Sequence, residues 1–213
     1  MKRWRLLLAD DHDIVIEGLR RVLDHPDLEI VGVVSDGRSL VRTAKEIQPD
    51  IIIADVTMPL LNGIDAARQI RKRNANVKII FLTMHPDVTF ATEALAAGGS
   101  GYVLKNSAGD ELLTAIREAM QGRIYVTKSI AEAVKHGLSS RSNNWRSPLD
   151  KLTSRQREVL QLLAEGLQVK EIAGKLNVSS RTVEFHKYRI MDELGLRTAA
   201  EIARYAARHG IVT

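Results

Sequence analysis

Asp50-Ile51-Ile52-Ile53-Ala54-Asp55 decides the fold. An apolar run this short cannot be a buried helix, and its β-branched triplet has no polar alternation. It reads as a strand covered on both faces, as in a parallel sheet. Four more runs of the same kind flank it: Arg5–Ala9, Glu29–Val34, Val77–Leu82 and Gly101–Leu104. Amphipathic stretches lie between them. Asp13 is placed to cap a helix carrying Ile14, Leu19, Val22 and Leu23 on one face. Gly37–Ile47, Asn62–Arg71, Val88–Ala97 and Ala108–Met120 repeat the helical spacing, and Gly98-Gly99 stops the fourth helix. Five βα repeats in the first 120 or so residues predict an α/β, doubly wound, five-stranded parallel sheet.

The rest of the chain has a different character. Residues 123–148 read as a linker with a short helix from Ser129 to His136, followed by the polar, breaker-rich run Ser139–Pro148. Trp145 in that run is read as a docking contact. From 149 to 213 every pattern is helical: a capping box at Thr153-Ser154-Arg155-Gln156, a second helix over Val169–Leu176, a third capped by Ser179 and a fourth from about Ala199 to Arg208. This predicts a small all-α domain. The charge divides at the same place. Residues 1–123 carry 16 Lys and Arg against 17 Asp and Glu, and residues 124–213 carry 15 against 9. A basic back half suits either nucleic acid or simple solubility.

Composition excludes several chemistries. With no cysteine among 213 residues there is no disulfide, no Cys-ligated zinc or iron–sulfur cluster and no thiol catalysis. No apolar run approaches the roughly 20 residues of a membrane span. The basic start, Met1–Arg5, is followed by too few apolar residues for a signal-peptide core, so a cytoplasmic location is expected.

Doubly wound sheets place their sites at the carboxyl ends of the strands. Here those ends carry Asp10-Asp11, Asp55, Thr83 and Lys105. Three crowded carboxylates repel one another, and a hard divalent cation relieves the repulsion. Lys105 supplies a point charge for a phosphoryl oxygen and Thr83 a hydroxyl donor. The set reads as an aspartyl-phosphate site with Asp55 as nucleophile and Mg²⁺ as cofactor.

Leu8-Ala9-Asp10-Asp11-His12, Asp55-Val56-Thr57-Met58-Pro59, Phe81-Leu82-Thr83 and Gly101-Tyr102-Val103-Leu104-Lys105 together resemble the flavodoxin-like receiver domain of two-component response regulators, here within 1–122. The resemblance implies that Asp55 accepts phosphate from a sensor histidine kinase. It implies that Asp11 and Asp55 bind the metal directly, that Asp10 acts largely through water, and that the Thr57 main-chain carbonyl is a further ligand. Thr83 and Tyr102 would form the switch pair, the hydroxyl moving to the phosphoryl group and the ring turning inward. Asn106 follows Lys105 where many receivers have proline, and Gly98-Gly99 is expected to loosen the end of the fourth helix. Haloacid-dehalogenase-type phosphatases also use a strand-end Asp, but they resemble Asp-x-Asp-x-Thr, and Thr57 stands where their general acid would be. The chain is therefore not expected to be an enzyme beyond slow hydrolysis of its own aspartyl phosphate, with Thr57 and His85 tuning the lifetime.

The second and third helices of the back half, joined by Asn177-Val178-Ser179, read as a helix-turn-helix. At about 100° per residue, Val183, Ile190 and Leu194 of the third helix pack inward, with His186 and Lys187 at the edges. Arg181, Phe185, Tyr188 and Asp192 lie opposite, flanked by Glu184 and Arg189. Leu152–Leu160, Ala164-Glu165-Gly166, Lys170-Glu171-Ile172-Ala173 and Ser179–His186 resemble the LuxR/FixJ/NarL-type DNA-binding domain. The resemblance implies a DNA-binding transcription regulator of the NarL/FixJ family that acts on double-stranded DNA as a homodimer when active. Glu158 is expected to pair across the core with a basic group. Lys170, Arg181, Thr182, Lys187 and Arg189 are the expected phosphate contacts. Glu184 either accepts from a cytosine amino group or is paired within the protein. Phe185 and Tyr188 either touch thymine methyls or shield the groove face. A receiver serving only dimerisation or partner binding, without phosphorylation, is the alternative.

Overall fold

The computed structural model describes residues 3–84, 86–141 and 148–212. The chain forms two compact units that divide between Ser140 and Arg141. Trp145 and His85 lie outside the described residues, so the readings placed on them have no structural counterpart.

In the first unit the strands are β1 (Trp4–Ala9), β2 (Leu28–Val34), β3 (Ile51–Asp55), β4 (Lys78–Thr83), β5 (Gly101–Leu104) and β6 (Tyr125–Val126). All pair in parallel, in the order β2-β1-β3-β4-β5-β6. The helices are α1 (Asp13–Val22), α2 (Gly37–Ile47), α3 (Gly63–Arg71), α4 (Val88–Ala96), α5 (Ala108–Met120) and α6 (Lys128–Arg141). Strand alternation sends Leu6, Leu8, Ile51, Ile53, Ile80, Leu82 and Val103 to the layer that holds α1 and α5. Leu7, Ile52, Ile79, Phe81 and Tyr102 go to the opposite layer, with α2, α3 and α4. Both faces are dry, which is why the strands show no polar alternation.

Three local readings change. Ile14 is 84% exposed, and Ile16, Leu19 and Leu23 form the buried stripe instead, since Ile14 lies about 200° around the helix from Ile16. The N-cap of α1 is His12 rather than Asp13. Gly98-Gly99 does not loosen α4. Gly98 takes the left-handed conformation (φ +97°), and a Cβ on Gly99 would lie 2.9 Å from the Phe81 ring, so the doublet lets the chain pass tightly against β4.

The largest difference lies in the stretch read as linker. Tyr125 and Val126 add a sixth strand to the five expected, and α6 runs beyond the short helix predicted there. Thr127 fixes the junction: its hydroxyl accepts the Leu104 N–H (3.0 Å) and its own N–H donates to the Tyr102 carbonyl (3.0 Å). Ile130 and Val134 then join the core around Tyr102. A Cβ on Gly137 would lie 3.2 Å from both Val88 and Thr92, so α6 packs closely on α4. Residues 125–140 are part of the α/β unit because β5 would otherwise be an open edge. The described peptide bonds are all trans, including the bond between Lys105 and Asn106.

The second unit contains α7 (Ser154–Ala164), α8 (Val169–Leu176), α9 (Ser180–Leu194) and α10 (Ala199–Arg208). Both sides of the Thr153/Gln156 capping box form, and Ser179 caps α9 through the Thr182 N–H. Val159, Leu160, Leu162, Ile172, Val183, Ile190, Ile202 and Ala206 are buried in this unit. Among the described residues no helix is long and apolar enough to cross a membrane.

Two glycines test how tightly the rim of the sheet is built. A Cβ on Gly63 would lie 1.9 Å from the Asp55 carbonyl oxygen, whereas one on Gly18 would meet nothing within 4 Å. Gly63→Ala should lower the unfolding free energy by about 3 kcal/mol through overpacking, and Gly18→Ala should raise it by about 0.5–1 kcal/mol. Urea denaturation followed by circular dichroism checks both, and equal effects would contradict this packing.

Candidate functional site

The carboxyl ends of β1, β3 and β5 bring Asp10, Asp55 and Lys105 together. Lys105 Nζ lies 2.7 Å from Asp10 Oδ2 and 2.6 Å from Asp55 Oδ2, and all three side chains are almost wholly buried. Asp11, at the mouth, is partly exposed. Thr57 is buried two residues beyond Asp55, and its N–H points to Asp55 Oδ1 at 3.4 Å. Thr83 ends β4 and is fully buried.

The electrostatics follow from this packing. Burial raises the Asp55 carboxyl above its ordinary value, Lys105 opposes the rise and Asp10 adds to it. Burial works against the charge on Lys105, but its hydrogen bonds to Asp10 and Asp55 outweigh that cost and hold the ammonium above its usual range. In the metal-free protein Lys105 therefore contributes stability fully below pH 10.5, lost as pH rises through its raised folded value. Asp55 contributes below pH 3.8, and that contribution is lost as pH rises through its own raised value. One ammonium faces three carboxylates, a surplus of negative charge on hard oxygen donors. This donor set fits a small divalent cation that keeps some of its waters.

The structure also brings in a residue the sequence reading did not assign. His12 Nδ1 lies 3.1 Å from Asp10 Oδ1 and 3.0 Å from Asp11 Oδ1. Asp10, Asp11, His12 and Asp55 form one cluster whose ligand atoms all lie within 4.8 Å. The signal was visible, since a histidine directly follows the aspartate pair, but only the turn into α1 aims its ring back at them.

Tyr102 differs from expectation. Its ring is already fully buried, in the cluster that Ile130 and Val134 join. Its hydroxyl hydrogen-bonds Thr83. Burial pushes the hydroxyl well above the ordinary tyrosine range, the Thr83 bond counteracts this, and the charges of Asp87 and Asp55 add to the rise. A separate groove of about 340 Å³, lined in part by Trp4, Leu28, Ile116 and Met120, begins at the amino end of β1, away from the carboxylates.

In the helical unit, α8 and α9 flank a tight turn in which Asn177 is left-handed (φ 52°). Val183 and Ile190 are buried and Leu194 is half-buried. Lys170, Arg181, Glu184, Phe185, Tyr188 and Arg189 are exposed. Lys187 is only half-buried on the edge of that face, and the Thr182 hydroxyl is bonded to Ser179 (2.8 Å). Glu158 has a basic partner within its own helix. Arg155 holds it at 2.8 Å and also donates to the Leu176 carbonyl at the end of α8 (2.8 Å). Burial lowers the His186 pKa, and the nearby Arg155 charge adds to this. The sequence reading assigned no role to Arg157, which is buried and donates to the Leu149 and Leu152 carbonyls, both at 3.0 Å.

Comparison with known proteins divides the chain in the same way. The response regulator receiver domain matches residues 6–117, and the luxR family of bacterial regulatory proteins matches 150–206. The chain is similar to the response regulator GacA of Pseudomonas aeruginosa (33% identity, 98% of this chain and 97% of the relative). It is similar to the oxygen regulatory protein NreC of Staphylococcus aureus (36%, 96% and 97%). Among solved structures it resembles RcsB from Salmonella enterica serovar Typhimurium bound to the promoter rprA in the presence of the phosphomimetic BeF3⁻. That match has 28% identity and a TM-score of 0.64, over 97% of this chain and 99% of that one.

The ion cluster makes a test that needs no ligand. Lys105→Met leaves Asp10 and Asp55 facing each other in a buried site, which should cost about 3–5 kcal/mol at neutral pH. The cost should shrink toward about pH 4 as the Asp55 carboxyl, held above its ordinary value by burial, takes up its proton. Chemical denaturation of the metal-free protein at the two pH values checks this, and a pH-independent loss would contradict the electrostatic account.

Proposed function

We propose that this chain, which belongs to the NarL/FixJ family of response regulators, is switched by phosphorylation of Asp55. It is a DNA-binding transcription regulator and not an enzyme of the classical kind. The observation that carries the proposal is the buried Lys105 ammonium held between Asp10 and Asp55.

The phosphate donor in this reading is the phosphohistidine of a sensor kinase, and Asp55 is the nucleophile. Asp11, Asp55 and the Thr57 carbonyl would hold Mg²⁺, with Asp10 acting largely through water, and the ion when bound would neutralise the phosphoryl oxygens. Lys105 already sits against the Asp55 oxygen and is placed to follow the charge onto the phosphoryl group. The Thr83 hydroxyl is engaged by Tyr102, so drawing it to a phosphoryl oxygen breaks that bond. The Tyr102 hydroxyl is then left buried without this partner, at a cost of about 1–3 kcal/mol. The pair therefore distinguishes two states, and the phosphoryl group shifts their populations by its better contacts in one of them.

The elements that cover Tyr102 are β6 and α6, and α6 leads along the chain into the segment before the second unit. In this reading, rearrangement around Tyr102 is passed on through α6. The receiver function belongs to residues up to about 140 and the DNA-binding function to 149–213. Slow hydrolysis of the aspartyl phosphate returns the protein to its first state. Cytoplasmic action on double-stranded DNA, as a homodimer when phosphorylated, completes the reading. A DNA-bound form of the similar RcsB supports it.

On DNA, the exposed side chains of α9 divide by chemistry. Arg181 and Arg189 on α9, Lys170 on α8, and at the margin Lys187 and Thr182, serve phosphates and supply affinity. Glu184, Phe185 and Tyr188 present the surface that reads base edges.

Incubation with acetyl phosphate and Mg²⁺ should add the mass of one phosphoryl group to the protein and none to Asp55→Ala. The treatment should tighten DNA binding of the parent protein alone. Equal stimulation of the variant would leave the receiver as a phosphate-independent dimerisation or partner domain. Arg181→Ala should weaken binding to all sequences alike and reduce the slope of log affinity against log salt by about 1. A sequence-selective loss would make Arg181 a base contact instead.

A further inference from the structure

The acidic pocket contains one side chain that the reading above leaves without a task. His12 occupies the N-cap of α1 in an extended conformation and makes no side-chain cap hydrogen bond. Ser, Thr, Asp or Asn would serve the helix better there. Core packing does not account for the residue either, since its side chain is 57% exposed. What the ring does is face the carboxylates. Its Nδ1 stands 3.1 Å from Asp10 Oδ1 and 3.0 Å from Asp11 Oδ1. The His12 N–H is itself held by Asp10 Oδ1 at 3.0 Å, which fixes the backbone that aims the ring.

Those separations have a specific meaning for a metal ion. Two ligands in adjacent positions of an octahedron with bonds of about 2.1 Å stand about 3.0 Å apart. The Nδ1 atom therefore has the spacing of a neighbouring ligand to Asp11 Oδ1, and the candidate ligand atoms of Asp10, Asp11, His12 and Asp55 fall within 4.8 Å of one another. Without metal the 3.1 Å contact to Asp10 Oδ1 is a hydrogen bond that keeps the proton on Nδ1; moving that proton to Nε2 as the cation enters frees the Nδ1 lone pair to coordinate.

We propose that His12 is a nitrogen donor of the divalent-cation site and sets its metal preference, favouring borderline transition ions over Mg²⁺. The inference rests on the reading of this pocket as a cation site. Mg²⁺ is hard, prefers oxygen and gives up water reluctantly, so an imidazole adds little to its binding. Imidazole suits ions such as Ni²⁺, and affinity for mixed nitrogen and oxygen sites rises from Mn²⁺ through Co²⁺ to Ni²⁺. A histidine that only held the two carboxylates in place by hydrogen bonding would affect every cation alike. Selectivity, rather than affinity, distinguishes the two roles.

The test is isothermal titration of the tag-free full chain with Mg²⁺ and with Ni²⁺, comparing the parent protein with His12→Ala and His12→Asn. The other histidines are present in all three proteins and give a common background. The expected result is a change in Mg²⁺ affinity of no more than about twofold, with Ni²⁺ binding about tenfold or more weaker in His12→Ala. With Mn²⁺ bound, electron spin echo spectroscopy should detect a coordinated imidazole nitrogen in the parent and lose it in both variants. Equal changes for the two metals, or a nitrogen signal that survives His12→Ala, would overturn the proposal while leaving the cation site standing. A parent protein that binds neither ion would overturn both.

Discussion

A single ammonium between two buried carboxylates organises the first unit. Lys105 follows β5, Asp10 follows β1 and Asp55 ends β3, so the contact ties together strands that are far apart in sequence. Burial makes the contact consequential. Exposed pairs of this kind contribute little because water screens them. Here the water is gone, and removing any one member strands the others. The site's chemistry has the same origin, since a pocket with more negative charge than one lysine can balance attracts a cation.

The second organising feature is the covered edge of β5. The sheet could have ended there, with Tyr102 on an open edge. Instead β6 and Thr127 complete the hydrogen bonding, and Ile130 and Val134 join the buried cluster that contains the ring. The Tyr102 hydroxyl then finds its partner in Thr83. This connects the end of β4, one strand removed from Asp55 in the sheet, to the helix that leads out of the unit. Residues read from composition as a connection are therefore part of the same buried core as Tyr102.

In the helical unit, arginines do structural work that their charge disguises. Arg157 is buried and satisfies the carbonyls of Leu149 and Leu152 ahead of α7. Arg155 ties α7 to the end of α8 and neutralises Glu158. Both belong to the positive excess of the back half, yet neither is free for an anionic ligand. Part of the positive charge of this half therefore serves packing within the helical unit.

Much of this was legible from residues alone. Unalternating runs such as Ile51–Ile53 read as strands dry on both faces, and the strand ends placed Asp10, Asp55 and Lys105 on one rim, where the structure brings them together. Capping residues such as Thr153 and Ser179 act within one helical turn, so they too could be read locally. The sequence by itself thus determined five of the six strands, the helices on both sides of the stretch read as linker and the charged residues at the strand ends. The tertiary structure alone decided three things: that His12 turns toward the aspartates, that Tyr102 is covered, and that residues 125–140 belong to the first unit. Each depends on contacts between side chains that the fold brings together, and such contacts leave no period in the sequence.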